Sequence, residues 1–270
     1  MPATEVPSGA AAQLEASVRE AGALALSMFG TPLKRWIKGV SSPVCEADIA
    51  VDELLYKRLR AVDPAIGWLS EESLDDPARL GSRYVWIVDP IDGTRGYIAG
   101  SPDWAVSAAL VEKGRPIAAC LFAPARQELF MATAGRGATL NGAAIAATSA
   151  AGLKGMRIAG PKNFLERMAK LAPPMTIEPR LPSLALRLAR VAQGAIDAAI
   201  AGGNSHDWDL AAADLLVHEA GGALTPFNGK ALIYNRTEPR HGMLVAAGHG
   251  RHAALLQLLN NPLLARPPTS

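Results

Sequence analysis

Five consecutive residues that are β-branched or aromatic, Tyr84-Val85-Trp86-Ile87-Val88, lead straight into Asp89-Pro90-Ile91-Asp92-Gly93-Thr94. A short apolar run of this composition reads as a buried strand. Pro90 has no N–H to give to a ladder, so the strand is expected to end at Asp89-Pro90. Asp89 and Asp92, three residues apart on a rigid turn at a strand end, can converge on one point. Gly93 lets backbone approach a ligand closely, and successive N–H groups there can hold an anion. Thr94 adds a hydroxyl. Carboxylates, free amides and a hydroxyl together suit a hard cation and a phosphate. Two aspartates in a solvated turn look the same in isolation, so other segments must supply the remaining ligands.

A chain of 270 residues, 49% hydrophobic, has ample core for one large domain or two smaller ones. Its net charge of +2 is spread along the sequence with no basic run, so a nucleic-acid polymer is not an expected partner. Cys45 and Cys120 form no spaced motif and read as two reduced thiols of a cytoplasmic protein. Glu15, Arg19 and Glu20 interrupt the early Ala-rich segment, so no secretory leader is expected there, and no apolar run is long enough to span a membrane. Met1 to Ala10 and Arg266 to Ser270 are expected to fray.

Leu14, Val18, Ala21, Ala25 and Met28 recur at helical spacing, and Gly30-Thr31-Pro32 ends that helix. Lys34 to Lys38 reads as a short exposed strand or loop. Its charges form a solvated edge, or Lys38 reaches an anionic site. A second helix carries Val51, Leu54, Leu55, Leu59 and Val62, with Asp48 near its start. An acid in the first turn complements the helix dipole, which is a sufficient role for Asp48 on its own. Ala65 to Leu69 reads as a strand ending in Ser70-Glu71-Glu72-Ser73. Adjacent carboxylates repel unless solvent or a cation relieves them; beside Asp89 and Asp92 they would complete a cation cage.

Strands at Ala105 to Glu112 and Pro116 to Phe122 flank the hairpin signal Lys113-Gly114-Arg115, and Glu128 to Ala132 follows. Near residue 150 the pattern changes to alternating strands and helices, so lobes 1–150 and 151–270 are expected. Helices are expected at Asn163 to Leu171, at Ser183 to Ile196 with Ser183 as N-cap, at Leu210 to Ala220, and at His252 to Leu259. Intervening strands fall at Met156 to Ala159, Met175 to Ile177, Ala198 to Ala201, Ala223 to Thr225 and Met243 to Ala246.

Four blocks stand out together: S-S-P-V-C-E-A-D ending at Asp48, L-S-E-E-S around Glu71, W-I-V-D-P-I-D-G-T ending at Thr94, and D-W-D-L-A-A-A-D-L-L-V-H-E-A-G-G from Asp207. In this order and spacing they resemble the inositol-monophosphatase-like superfamily of Mg²⁺-dependent, lithium-sensitive phosphomonoesterases. Weaker similarity between the blocks extends the resemblance over nearly the whole chain. It implies an α/β fold, a layered αβαβα sandwich with an antiparallel N-terminal sheet, two helices and a C-terminal α/β lobe. It also implies that Glu71, Asp89 and the Ile91 carbonyl hold one Mg²⁺. Asp89, Asp92 and Asp209 would hold a second, for two or three ions in all. Backbone N–H groups of Gly93 and Thr94 would bind the phosphate of a small phosphomonoester. The Thr94 hydroxyl, paired to Asp48, would orient the attacking water, with Glu72 close by and Lys38 adding positive potential. Homodimers are common in the family. Trp208 reads as a packing residue that positions Asp209, and His206 and His218 as structural.

Some residues depart from the family pattern. Cys45 stands where threonine is frequent before the catalytic aspartate, and Arg95-Gly96-Tyr97 replaces Thr-Asn-Phe. Inositol phosphatases carry an acid seven residues before the aspartate of the last block; here that residue is Gly202. The segments D-G-T-R-G-Y and K-A-L-I-Y-N-R look more like the 3'(2'),5'-bisphosphate nucleotidases. Hydrolysis of adenosine 3',5'-bisphosphate to AMP is therefore the expected activity, with inositol 1-phosphate or another sugar phosphate as the alternative and a non-catalytic regulator as a third reading. Lys230, Arg236 and Arg240 are candidates for a second phosphate or are solvated surface.

Overall fold

The alternation of side chains along one strand divides the molecule into layers. The computed structural model describes residues 6–39 and 42–265. Its first half runs α1 (Ala10–Met28), β1 (Arg35–Lys38), β2 (Ser42–Cys45), α2 (Glu46–Arg60), β3 (Gly67–Ser70), β4 (Tyr84–Asp92), α3 (Thr94–Ile98), β5 (Ala105–Glu112), β6 (Arg115–Ala123), β7 (Glu128–Thr133), β8 (Ala138–Leu140) and β9 (Ala143–Ile145). Its second half runs β10 (Arg157–Ala159), α4 (Lys162–Ala169), β11 (Thr176–Ile177), α5 (Leu184–Ala192), β12 (Ala198–Ala201), β13 (Ser205–His206), α6 (Asp207–Glu219), β14 (Gly222–Pro226), β15 (Arg240–His241), β16 (Leu244–Gly248), α7 (His249–Leu259) and α8 (Pro262–Ala265).

Strands β3 to β9 form one sheet in chain order. On β4, Trp86 and Val88 point to one face, where they pack with Leu14 and Val18 of α1 and Val51 and Leu55 of α2. Val85 and Ile87 point to the other, into a cluster with Leu186 and Leu188 of α5 and Leu210 and Leu216 of α6. Ala199 and Ala246 of the second sheet join that cluster from beyond the two helices. That sheet has the order β11-β10-β12-β16-β14, and its far face, with Ile158, Ile200 and Val245, packs on Leu165 of α4 and Leu255 of α7. The order of layers is therefore helix, sheet, helix, sheet, helix, as the sequence led us to expect. Fully burying a leucine- or valine-sized side chain contributes about 1.5–3 kcal/mol, so the two interfaces with α5 and α6 hold the sheets together.

Four expectations need correction. The first sheet is antiparallel except at its edge, where β3 runs parallel to β4 after the crossover through residues 71–83. Strand β4 does not end at Asp89-Pro90. It passes through Pro90 in a bulge and pairs again at Asp92, opposite Ala105. A bulge is where a strand tolerates a residue without an N–H. Helix α5 stops at Ala192, where the expectation ran to Ile196. Helices α6 and α7 begin one turn early, at Asp207 and His249. The expected fraying falls mainly on residues outside the described ones, and Ala10 already belongs to α1. Among the described residues, no helix is long and apolar enough to cross a membrane.

Candidate active site

Two residues at i and i+3 on a regular strand point to opposite faces. The bulge in β4 cancels this. Asp89 lies opposite Ser107 and Asp92 opposite Ala105, so the extra residue turns Asp92 back to the side of Asp89. Asp209, at the third position of α6, meets them there. One carboxylate oxygen from each of Asp89, Asp92 and Asp209 lies within 4.8 Å of the others.

Asp92 sits at the N-terminus of α5. Ser183 Oγ donates to its Oδ2, the Ala185 N–H donates to Oδ2 at 2.6 Å, and the Leu184 N–H to Oδ1 at 3.2 Å. Ser183 thus has two tasks, because its Oγ also accepts the Leu186 N–H as the expected N-cap. Gly93 makes this approach possible. Its φ is +95°, and a Cβ there would stand 3.0 Å from the Ser183 nitrogen. Asp209 Oδ2 accepts the His206 N–H at 2.6 Å, and Trp208 stacks on His206 with ring centroids 4.6 Å apart. The side chain of Trp208 also packs on the α5/α6 cluster, which fixes the first turn of α6.

The other side of the cluster is poor in donors. Asp89 is 1% exposed and its Oδ1 has no hydrogen-bond partner among the described residues. Its carboxyl is held well above the usual aspartate range by burial and by the neighbouring Glu71, Asp92 and Asp209 charges. Glu71 is pushed up to about 8 by burial, then by Asp209 and Glu72. On the donor-bearing side Asp209 is also pushed up, to about 7, by burial and by Asp92, with the His206 N–H opposing the rise. Buried like charges with an unpartnered oxygen are what a hard cation would neutralise, so the donor set fits a divalent ion with oxygen ligands.

Asp48 is buried in the first turn of α2. Its Oδ2 accepts the Cys45 N–H at 2.9 Å and the Cys45 thiol at 2.8 Å, so Cys45 caps the helix. Its Oδ1 lies 3.0 Å from Thr94 Oγ1, which is also 2.9 Å from the Ile91 carbonyl oxygen. Burial raises the Asp48 carboxyl, and the hydrogen bonds from Cys45 and Thr94 oppose that rise. Lys38 at the end of β1 donates to the Glu71 carbonyl and lies 3.3 Å from Glu72 Oε2. Lys38 is exposed and reaches the Glu71-Glu72 segment. Burial raises Glu72, and Lys38 opposes it.

The second-phosphate candidates are less well placed for that task. Lys230 is exposed, Arg236 donates to the Arg240 carbonyl at 3.0 Å, and Arg240 pairs with Glu238 at 3.7 Å. The rim at Gly203 is open: a Cβ there would meet nothing within 4 Å. Sequence reasoning missed the buried pair of Asp207 and His241 at 2.7 Å, which ties the start of α6 to β15. It also missed the hold of Ser183 on Asp92. The adjacent acids of D-W-D, both in one helical turn, were a usable signal for the former; the latter joins residues 91 positions apart and left none.

The profile of the Inositol monophosphatase family matches residues 8–262. An inositol-1-monophosphatase of Mesorhizobium japonicum is 31% identical over 239 residues, covering 85% of this chain and 87% of its own. The Nus factor SuhB of Pseudomonas aeruginosa is 35% identical over 204 residues, covering 71% and 75%. The solved structure of the Thermotoga maritima IMPase superposes with a TM-score of 0.78 at 28% identity, covering 91% of this chain and 94% of that one.

Proposed function

Since the chain belongs to the inositol monophosphatase family and is a phosphoric monoester hydrolase, we propose that its substrate is a polyol phosphate of the inositol 1-phosphate class. In this reading Glu71, Asp89, the Ile91 carbonyl, Asp92 and Asp209 hold two or three Mg²⁺ ions. The observation that carries it is the convergence of Asp89, Asp92 and Asp209 oxygens within 4.8 Å around an unpartnered Asp89 Oδ1. Bound magnesium would make the attacking water easier to deprotonate and neutralise charge developing on the phosphoryl group.

The protein's own groups do the rest. Gly93 and Thr94 open α3, so their N–H groups have no intrahelical acceptor and can bind phosphate oxygens. The Thr94 hydroxyl, 3.0 Å from Asp48 Oδ1, orients the water for in-line attack and passes its proton towards Asp48. Burial raises the Asp48 carboxyl, which makes it a better acceptor than a solvated aspartate. Glu72 sits beside Lys38, which adds positive potential at the mouth.

Adenosine 3',5'-bisphosphate is the second reading, favoured by the open space at Gly203 and by glycine in place of an acid at 202. Against it stands the engagement of Arg236 and Arg240 with their own loop. A regulator without catalysis is the third reading, and relatives named Nus factor SuhB keep it open; retention of the metal-site carboxylates Glu71, Asp89, Asp92 and Asp209 supports the enzyme. The division into lobes 1–150 and 151–270, a cytoplasmic location and a homodimer complete the proposal. Its test is kcat/KM for inositol 1-phosphate, adenosine 3',5'-bisphosphate and fructose 1,6-bisphosphate on one preparation. Inositol 1-phosphate is expected to lead by about tenfold or more. The same lead for the adenosine compound would overturn the choice of substrate, and hydrolysis of none would favour the regulator.

A further inference from the structure

Asp52 lies one helical turn after Asp48, on the same face of α2, and is buried. Two serine hydroxyls occupy its carboxylate: Ser70 Oγ donates to Oδ1 and Ser73 Oγ to Oδ2. These serines flank one pair of residues, Glu71 and Glu72. Ser70 Oγ further accepts the Glu72 N–H at 3.3 Å, and Trp68 Nε1 donates to Ser73 Oγ at 3.2 Å. The backbone gives this segment little. Strand β3 ends at Ser70, the Glu71 N–H reaches the Val88 carbonyl at 3.2 Å, and residues 71–73 then bend without regular structure.

Adjacent carboxylates on an irregular segment repel each other and would diverge into solvent. Here both are half-buried, with Glu71 close enough to feel the charges of Asp209 and Asp92, and Glu72 those of Lys38 and Asp48. We propose that Asp52 is a positioning residue that clamps both ends of the Glu71-Glu72 pair onto the helix carrying Asp48, and so sets the affinity of the centre for its divalent cation. The proposal rests on the metal reading above and deepens it. One helix then aligns two parts of the site: Asp48 acts on Thr94 directly, and Asp52 acts on Glu71 through the serines. Without the clamp the segment would have to be ordered at the moment of binding, which weakens the metal.

The test is calorimetric titration of metal-free protein with Mg²⁺ alone, alongside the Mg²⁺ dependence of hydrolysis. Asp52→Ala is expected to weaken binding about 10–100-fold, the usual cost of losing a group that orients a ligand. The Mg²⁺ needed for half-maximal rate should move with it, and the rate should recover as Mg²⁺ is raised. Asp52→Asn keeps one acceptor and a polar partner for the second serine, so it should restore most of the affinity. The Ser70→Ala/Ser73→Ala double variant should reproduce Asp52→Ala and carries the test if Asp52→Ala does not fold. A merely structural role would lower the melting temperature in EDTA and leave the Mg²⁺ affinity of the folded variants unchanged; that result overturns the proposal. Failure of the wild type itself to take up Mg²⁺ would instead remove the metal reading, and this proposal with it.

Discussion

The carboxylates that converge at the site are held in two different ways. Asp92 and Asp209 rest on helix starts: three donors from α5 reach Asp92, and the His206 N–H reaches Asp209. Helix N-termini carry unpaired N–H groups and partial positive charge, so these two aspartates are partly compensated before any ligand arrives. Asp89 and Glu71 lie across from them with little such help. Asp89 is buried with an orphaned oxygen, and Glu71 is driven up to about 8. The fold supplies donors to one half of the site, although Asp209 there is still raised to about 7, and the other half has fewer donors and stores more of the repulsion that a cation relieves. The fold can bear this cost because β4, which carries both Asp89 and Asp92, is paired on both sides and packed on both faces.

The largest effect should come from removing ligands on either side. Asp89→Asn and Asp209→Asn should each fold and lose turnover by about a hundredfold or more in saturating Mg²⁺, beyond the usual cost of disturbing an orienting group. Steady-state kinetics checks this, and near-normal turnover in either variant would remove that aspartate from the set of metal ligands.

A medium effect concerns pH. Glu71 has an ordinary value of 4.5 and a folded value near 8, so between these the folded protein binds more protons than the unfolded chain. Stability of the metal-free protein should therefore fall as pH rises from about 4.5 to 8. Glu71→Gln should flatten that decline in urea unfolding curves recorded in EDTA, and excess Mg²⁺ should flatten it in the wild type. An equal slope in wild type and variant would assign the repulsion elsewhere.

The smallest effect is expected on the compensated side. Ser183→Ala removes the N-cap of α5 and one donor to Asp92, while the Leu184 and Ala185 N–H groups remain. The loss in stability should be about 1–2 kcal/mol by denaturant titration, with kcat reduced far less than in the aspartate variants. A collapse of turnover equal to that of Asp209→Asn would mean that the backbone donors do not hold Asp92.

Much of this was legible in the sequence where chemistry is local. Asp89 to Thr94 is one contiguous block, and the L-S-E-E-S and D-W-D blocks carried their own resemblance. The layering was also expected. What could not be read was geometry that depends on partners far along the chain. The continuous apolar run of β4 gave no sign of which residue faces which layer, since both faces are buried. Pro90 read as a stop because a bulge shows no mark in a single strand. The second role of Ser183 and the clamp of Asp52 depend on contacts 91 and 18 positions away, between residues common in turns and helix surfaces. Cys45, noted only as a departure, turned out to cap α2 and donate to Asp48 because its thiol stands where a hydroxyl would serve.

The most direct measurement is thermal unfolding of the wild type and Asp89→Asn at pH 8, each in EDTA and in excess Mg²⁺. If the Asp89 side stores repulsion, Asp89→Asn should melt above the wild type in EDTA, by about 2–4 °C for each kcal/mol relieved. Mg²⁺ should raise the wild type markedly and the variant little. A variant that melts below the wild type in EDTA, with both responding equally to Mg²⁺, would contradict the account.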